Sequence, residues 1–179
     1  MKQSREQLRT EIDWFSRLDR IWREVDVLRS LEVLLPPGAV PRVLSEDRDN
    51  YLFTMEAVEA DHRVWKADLL NGVFDTSIAD TLAHHLAAIH KGSTSDQSLA
   101  ERMGDQTVFD ELRLDPFYRY VAQTYPEVSE PLTTLIDNTS RRRDCLVLAD
   151  FSPKNILLTT TGPVIVDFET GHFGDPGFD

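Results

Sequence analysis

The chain of 179 residues has one cysteine, no long apolar run and a shortage of cations, and each shortage excludes something. Cys145 has no partner for an internal disulfide, and its apolar surroundings (CLVL, 145–148) predict a buried strand residue. No stretch approaches the roughly 20 apolar residues that a membrane-spanning helix requires. The opening MKQSREQLRTEID lacks the apolar centre of a secretion signal, so the chain reads as cytoplasmic, with no membrane partner. Lys and Arg number 19 against 31 Asp and Glu, a formal charge of −12. That balance argues against nucleic acid as a partner, since nonspecific binding needs basic surface to displace counterions. The only dense basic run, Arg141-Arg142-Arg143, reads as solvated cations at a helix end.

What is present suits an ordinary globular domain, at 41% hydrophobic and 28% charged residues. Leu18, Ile21, Trp22, Val25, Leu28 and Leu31 recur at helical spacing, so an amphipathic helix is expected over 17–31, ending before Pro36-Pro37-Gly38. Residues 40–58 hold two β-favouring runs around the turn-prone EDRDN, the pattern of a hairpin. Residues 59–71 show little periodicity and read as a connector. Ser77-Ile78-Ala79-Asp80 has the form of a capping box for a helix carrying Ile78, Leu82, Leu86 and Ile89 on one face, with Gly92 as its stop. Further helices are expected over about 107–124, bent near Pro116, and 128–139. Three short strands follow at 146–148, 156–158 and 164–166, the last two joined by a turn over 159–162. The fold class is α+β, in two unequal parts that divide near 58–64.

Acidic and amide side chains sit at the junctions of those strands: Asp150, Asn155 and Asp167. Carboxylate and amide oxygens are hard donors that suit Mg²⁺ together with substrate phosphates. A carboxylate nearby that does not coordinate can take the proton of an attacking hydroxyl. An Asp, four residues, an Asn, and then an Asp-Phe at a strand end is the kinase arrangement of proton acceptor and two metal ligands. His84, His85 and His90 lack the spacing and the partners of a metal cluster.

Asp150-Phe151-Ser152-Pro153-Lys154-Asn155, with Asp167-Phe168-Glu169, Gly174-Asp175-Pro176 and Phe178-Asp179, resembles the catalytic loop and metal-binding segment of the aminoglycoside phosphotransferase and choline kinase-like family. Arg20 and Glu24 in RIWRE resemble its regulatory helix, Tyr51 to Glu56 its strand into the hinge, and Phe109 to Pro116 its methylthioribose kinase-like branch. The resemblance implies a protein-kinase-like two-lobed fold, truncated at both ends. Residues 1–57 would be a remnant of the N-lobe without its Gly-rich hairpin, and 58–179 a partial C-lobe without its last helices. It implies transfer of the γ-phosphate of ATP to a small-molecule hydroxyl, with ATP and Mg²⁺ as cofactors. Asp150 would be the catalytic residue, and Asn155 and Asp167 the metal ligands. Lys2 would hold the nucleotide phosphates with Glu24 as its partner, and Met55 and Glu56 would flank the adenine, largely through backbone groups. By position alone Lys2 is an ordinary solvated lysine. Asp175 and Asp179 are expected to brace the loop. Leu148-Ala149 stands where the family has His-Gly, which removes an imidazole brace and limits the backbone angles at 149. Two alternatives stay open: a degenerate kinase-like module that binds nucleotide or a partner without turnover, and a metal-dependent hydrolase short of the extra ligands of a two-metal site.

Overall fold

In the computed structural model, which describes residues 1–7 and 15–179, the first long helix, α1, covers Arg20–Leu34. Its start lies later than the periodicity suggests, because residues 18–19 form a turn and Arg17 pairs with Asp19 at 2.6 Å. Ile21, Val25, Leu28 and Leu31 are buried along one stripe. The helix ends at Leu35, which the following Pro36 drives into extended backbone (φ −114°, ψ 159°).

The expected hairpin is formed by β2 (Val43–Asp47) and β3 (Leu52–Met55), paired from Val43↔Met55 to Asp47↔Leu52. A third strand, β1 (Lys2–Gln3), pairs with the other edge of β3, setting Lys2 opposite Phe53 and giving the order β1-β3-β2. Phe53 is fully buried.

Residues 59–71 are not an unstructured connector. They contain β4 (Arg63–Val64), antiparallel to a later strand, and the short helix α2 (Trp65–Leu70). No residue of α2 is buried, so there is no apolar stripe to detect; such a short helix stands only on tertiary contacts. Helix α3 (Thr76–Ser93) is capped by Asp75, whose carboxylate accepts from the Ser77 N–H at 2.9 Å; Ser77 is inside the helix and is no capping-box residue. Gly92 does not stop α3. It lies inside the helix, where a Cβ would come 2.7 Å from Leu34 Cδ2, so it serves the close approach of α3 to α1. A further helix, α4 (Gln97–Met103), capped by Asp96, was not expected.

The region 107–124 is helical, and Pro116 lies within a widened, π-helical stretch of it. Short α-turns, α5 (Thr107–Phe109) and α6 (Tyr120–Thr124), flank ten residues of π-helix over Asp110–Arg119. Helix α7 (Ser129–Arg141) follows. The final β cluster comprises β5 (Cys145–Val147), the hairpin of β6 (Ile156–Thr159) and β7 (Gly162–Ile165), and β8 (His172–Gly174), which pairs with β5.

Strand β5 and its continuation are buried on both faces. Leu146 and Leu148 enter the larger core with Leu28, Phe53, Ile89, Ile165 and Phe168. Cys145, Val147 and Ala149 enter a smaller core with Phe109, Leu114 and Ile136. Each such side chain contributes on the order of 1–3 kcal/mol through burial. The chain therefore reaches Asp150 from a strand anchored on two sides. Gly171 also matters for placement: a Cβ there would come 2.5 Å from Val27 Cγ2, so the segment after Asp167 lies directly against α1.

Candidate active site

The loop 148–155 leaves β5 and enters β6, and three sets of bonds hold it. The Asp179 carboxylate is wholly enclosed and accepts from the Ala149 N–H at 2.7 Å and the Leu148 N–H at 3.0 Å, while His90 Nε2 lies 3.0 Å from it. The Thr170 hydroxyl donates to the Leu148 carbonyl at 3.0 Å. The Arg113 Nε donates to the Ala149 carbonyl at 2.9 Å. Ala149 adopts a left-handed conformation (φ +60°) that a Cβ disfavours by about 1 kcal/mol, and these bonds on both sides of it fix that geometry. Loss of the His-Gly pair thus does not leave the loop unbraced: Asp179 and Arg113 grip it from elsewhere. Asp179 has the bracing part expected of it. Asp175 bonds the Gly177 N–H at 3.0 Å and pairs with Arg142 instead.

Asp150 is mostly enclosed, with its side chain 14% exposed. The Asn155 amide donates to Asp150 Oδ2 at 2.9 Å and to its backbone carbonyl at 3.1 Å. Two cations meet the same oxygen, Arg113 at 2.9 Å and Lys154 Nζ at 2.8 Å. Because the Asn155 nitrogen is turned to Asp150, its amide oxygen is the atom left for a cation.

Asp167 follows the β6–β7 hairpin, in which the Val166 N–H donates to the Asn155 carbonyl at 3.0 Å. This bond sets the two candidate metal ligands at adjoining ends of neighbouring strands, Asn155 just before β6 and Asp167 just after β7. Asp167 is itself left-handed (φ +69°), and the turn lets Phe168 sink into the core while the carboxylate stays at the surface of the cleft.

Lys2 is not a free N-terminal lysine. Its ammonium lies 2.6 Å from both Glu24 Oε2 and Asp167 Oδ1. Burial works against the charge on Lys2, but Glu24, Asp167 and Glu169 outweigh it and raise the pKa. Burial pushes the Glu24 carboxyl up to about 7 despite Lys2, because Glu24 is almost inaccessible at 1% exposure. Burial would raise Asp167 too, yet Lys2, with help from Lys154 and Arg113, holds it below its usual value. Glu24, Asp167 and Glu169 offer carboxylate oxygens within 4.8 Å of one another. The buried Arg20 pairs with Glu169 at 3.2 Å and donates to the carbonyls of Arg5, Ser16 and Arg17, tying α1 to the chain before it.

Met55 ends β3, partly buried. Glu56 next to it does not turn its side chain inward: its carboxylate pairs with Arg42 (2.8 Å from Nε), and its N–H donates to the Arg42 carbonyl at 2.9 Å. Arg113, Lys154, Thr170 and Glu169 complete the site and were not singled out from the sequence. Lys154 lies inside the motif, and Arg113 lies inside the 109–116 segment, but nothing local marks its bond to a carbonyl 36 residues away.

A body of small sheets and helices with an acid-amide loop, a Lys on the first strand paired to a Glu on the first long helix, and an Asp-Phe just past a strand end has the protein-kinase-like α+β fold. The model of the phosphotransferase enzyme family matches residues 8–179, and the chain belongs to that family. Three solved structures share the fold. The gentamicin complex of APH(2")-IIa is 18% identical, with a TM-score of 0.55 over 93% of this chain and 60% of that one. The ADP-bound aminoglycoside phosphotransferase APH(2'')-Ib gives 20%, 0.53, 93% and 61%. The streptomycin–ATP ternary complex of APH(2")-IIa gives 17%, 0.57, 93% and 62%. The chain thus spans about three fifths of the length of these proteins. No curated protein matches it by sequence. Among the described residues no helix is long and apolar enough to cross a membrane.

Proposed function

We propose that this chain carries the catalytic centre of an ATP-dependent kinase that moves the γ-phosphate of ATP to a hydroxyl of a small molecule of aminoglycoside, sugar-like or amino-alcohol type. The observation that carries the reading is the asymmetry of Asp150. Asn155 and two cations crowd its Oδ2, which leaves Oδ1 as the oxygen to orient an acceptor hydroxyl and take its proton. Residues 1–57 act as the nucleotide-side lobe and 58–179 as the acceptor-side lobe.

Lys2, held by the buried Glu24, is a cation ready for the α- and β-phosphates. Its present bond to Asp167 would be exchanged for phosphate when nucleotide enters. Met55 and Glu56 end the strand beside which adenine would lie, and the pairing of Glu56 with Arg42 keeps the Glu56 side chain out of that role. The amide oxygen of Asn155 and the carboxylate of Asp167 are hard donors beside the adjoining ends of β6 and β7, a set that fits Mg²⁺. When bound, Mg²⁺ would neutralise charge on the phosphates. The protein's own work is to align and to stabilise charge, because phosphoryl transfer leaves little covalent chemistry to the enzyme. Asp179, Thr170 and Arg113 fix the loop in advance, so the proton acceptor needs no reorganisation during reaction.

The test is the melting temperature of the chain titrated with ATP, with and without Mg²⁺. A ligand that binds only the folded state raises that temperature. A Mg²⁺-dependent rise that vanishes in Asp167→Ala is expected. A chain that melts cooperatively and shows no rise at millimolar nucleotide overturns the reading.

A further inference from the structure

Asp150 carries one contact more than proton acceptance needs. Three donors converge on its Oδ2: Asn155 Nδ2 at 2.9 Å, Arg113 at 2.9 Å and Lys154 Nζ at 2.8 Å. A carboxylate oxygen has two lone pairs, so one of the three is held by charge without a lone pair of its own. The donors are not equal. Asn155 is buried and bonds Asp150 twice. Arg113 is 17% exposed and is fixed by further bonds to the carbonyls of Ala149 and Leu112. Lys154 is 51% exposed and reaches Asp150 across a single turn of chain, a kind of exposed pair that adds little to stability. Lys154 is the donor free to leave.

Its position gives that freedom a destination. The ammonium sits on the proton acceptor, and its charge is also felt at Asp167, the carboxylate of the candidate metal site. The group that passes between nucleotide and acceptor must cross the space between those two carboxylates. A lysine can accompany it, because its compact charge on a flexible stem follows a moving anion, whereas the planar Arg113 is held in place.

We propose that Lys154 is a further catalytic residue, whose ammonium moves from Asp150 Oδ2 to the γ-phosphate of bound ATP and stays with that phosphoryl group through transfer. In the step, the acceptor oxygen bonds to the γ-phosphorus and the bond from that phosphorus to the β–γ bridging oxygen breaks. The electron pair leaves on ADP, and the hydroxyl proton goes to Asp150 Oδ1. Lys154 balances charge on the phosphoryl oxygens and is not consumed. The inference rests on the kinase reading above and adds to it the residue that recognises the γ-phosphate.

The experiment compares ADP with the non-hydrolysable β,γ-imido analogue of ATP, each with Mg²⁺, by calorimetric titration of wild type, Lys154→Met and Lys154→Arg. Lys154→Met is expected to weaken the ATP analogue about tenfold or more, the range of one hydrogen bond to a charged group, with ADP unchanged. Lys154→Arg should restore most of the difference. Its exposure means that Lys154→Met should melt within a degree or two of wild type, so a folding defect is separable. An analogue-to-ADP ratio equal in wild type and Lys154→Met overturns the inference while leaving the kinase reading intact. Failure of wild type to bind either nucleotide overturns both.

Discussion

Truncating Asp179 should loosen the whole 148–155 loop, although the residue is 30 positions away from the Ala149 amide it binds. Its carboxylate is fully enclosed and is the partner of the Leu148 and Ala149 N–H groups and of His90. In Asp179→Ala both amides lose their acceptor. Each buried donor left without one costs about 1–3 kcal/mol, so the pair together costs roughly 2–6 kcal/mol, with about 3–4 as the central expectation. Part of that sum returns, because Ala149 is released from a left-handed conformation that costs it about 1 kcal/mol. The net loss is therefore about 2–3 kcal/mol, a large fraction of the roughly 5–15 kcal/mol that stabilises a typical domain. For a chain of this size it lowers Tm by about 4–12 °C. Asp179→Asn keeps one acceptor oxygen and should lose about half as much. The assay is urea unfolding followed by far-UV circular dichroism, with hydrogen exchange read at residues 148 and 149. Exchange at both amides should accelerate in Asp179→Ala. A loss below about 1 kcal/mol with protection unchanged would refute the bracing role.

Two pH experiments follow from buried groups. Burial pushes the His172 pKa down to about 4 from 6.5, so the folded protein resists a proton that the unfolded chain accepts. Its contribution to stability is full above 6.5 and is lost as pH falls toward 4. Urea midpoints at pH 7, 5.5 and 4.5 should decline in that order, and nuclear magnetic resonance should show the His172 ring neutral at pH 5.5; titration near 6.5 would refute the assignment. Glu24 has the opposite sign. Its folded pKa is raised to about 7 from 4.5, so its contribution is full below 4.5 and is lost as pH rises through 7. Glu24→Gln should therefore gain stability relative to wild type between pH 5 and pH 8, and a constant difference across that range would contradict the buried, reluctantly ionised carboxylate.

The long elements were legible because each carries a stripe. Helix α1 and the β2–β3 hairpin were readable from apolar spacing and turn residues, and the 150–155 loop with Asp167 from the order of acids and amides between strands. Short elements that depend on other parts of the chain were not. β8 is three residues long and gains its ladder from β5, and α2 buries nothing. Gly92 read as a helix stop because a glycine forced by a neighbour's Leu34 looks, in sequence, like one forced by a turn. Pro116 was visible, but the choice between bending and widening depends on the packing of residues on both sides. In the site, the residues named from the motif come together with Lys2 and Glu24. The second cationic layer escaped notice: Arg113 acts across 36 positions on a backbone carbonyl, a contact that no local pattern encodes. The Glu56 carboxylate pairs with Arg42, which leaves the backbone as the part of Glu56 that faces the expected role.

The contact between Gly171 and Val27 has a mechanical meaning. With only the Val27 side chain between them, the backbone after Asp167 and the α1 helix are in direct contact, and a residue larger than glycine at 171 would have to push them apart. Glu24 rides on that helix, Asp167 lies a short way before Gly171, and Lys2 bridges the two. The positions of the Lys2 ammonium, Glu24 and the candidate metal ligand Asp167 are thus tied to the seating of α1. Anything that tilts α1 outward, such as a bulky group wedged along it, would displace all three together and spare Asp150, whose loop is held separately by Asp179.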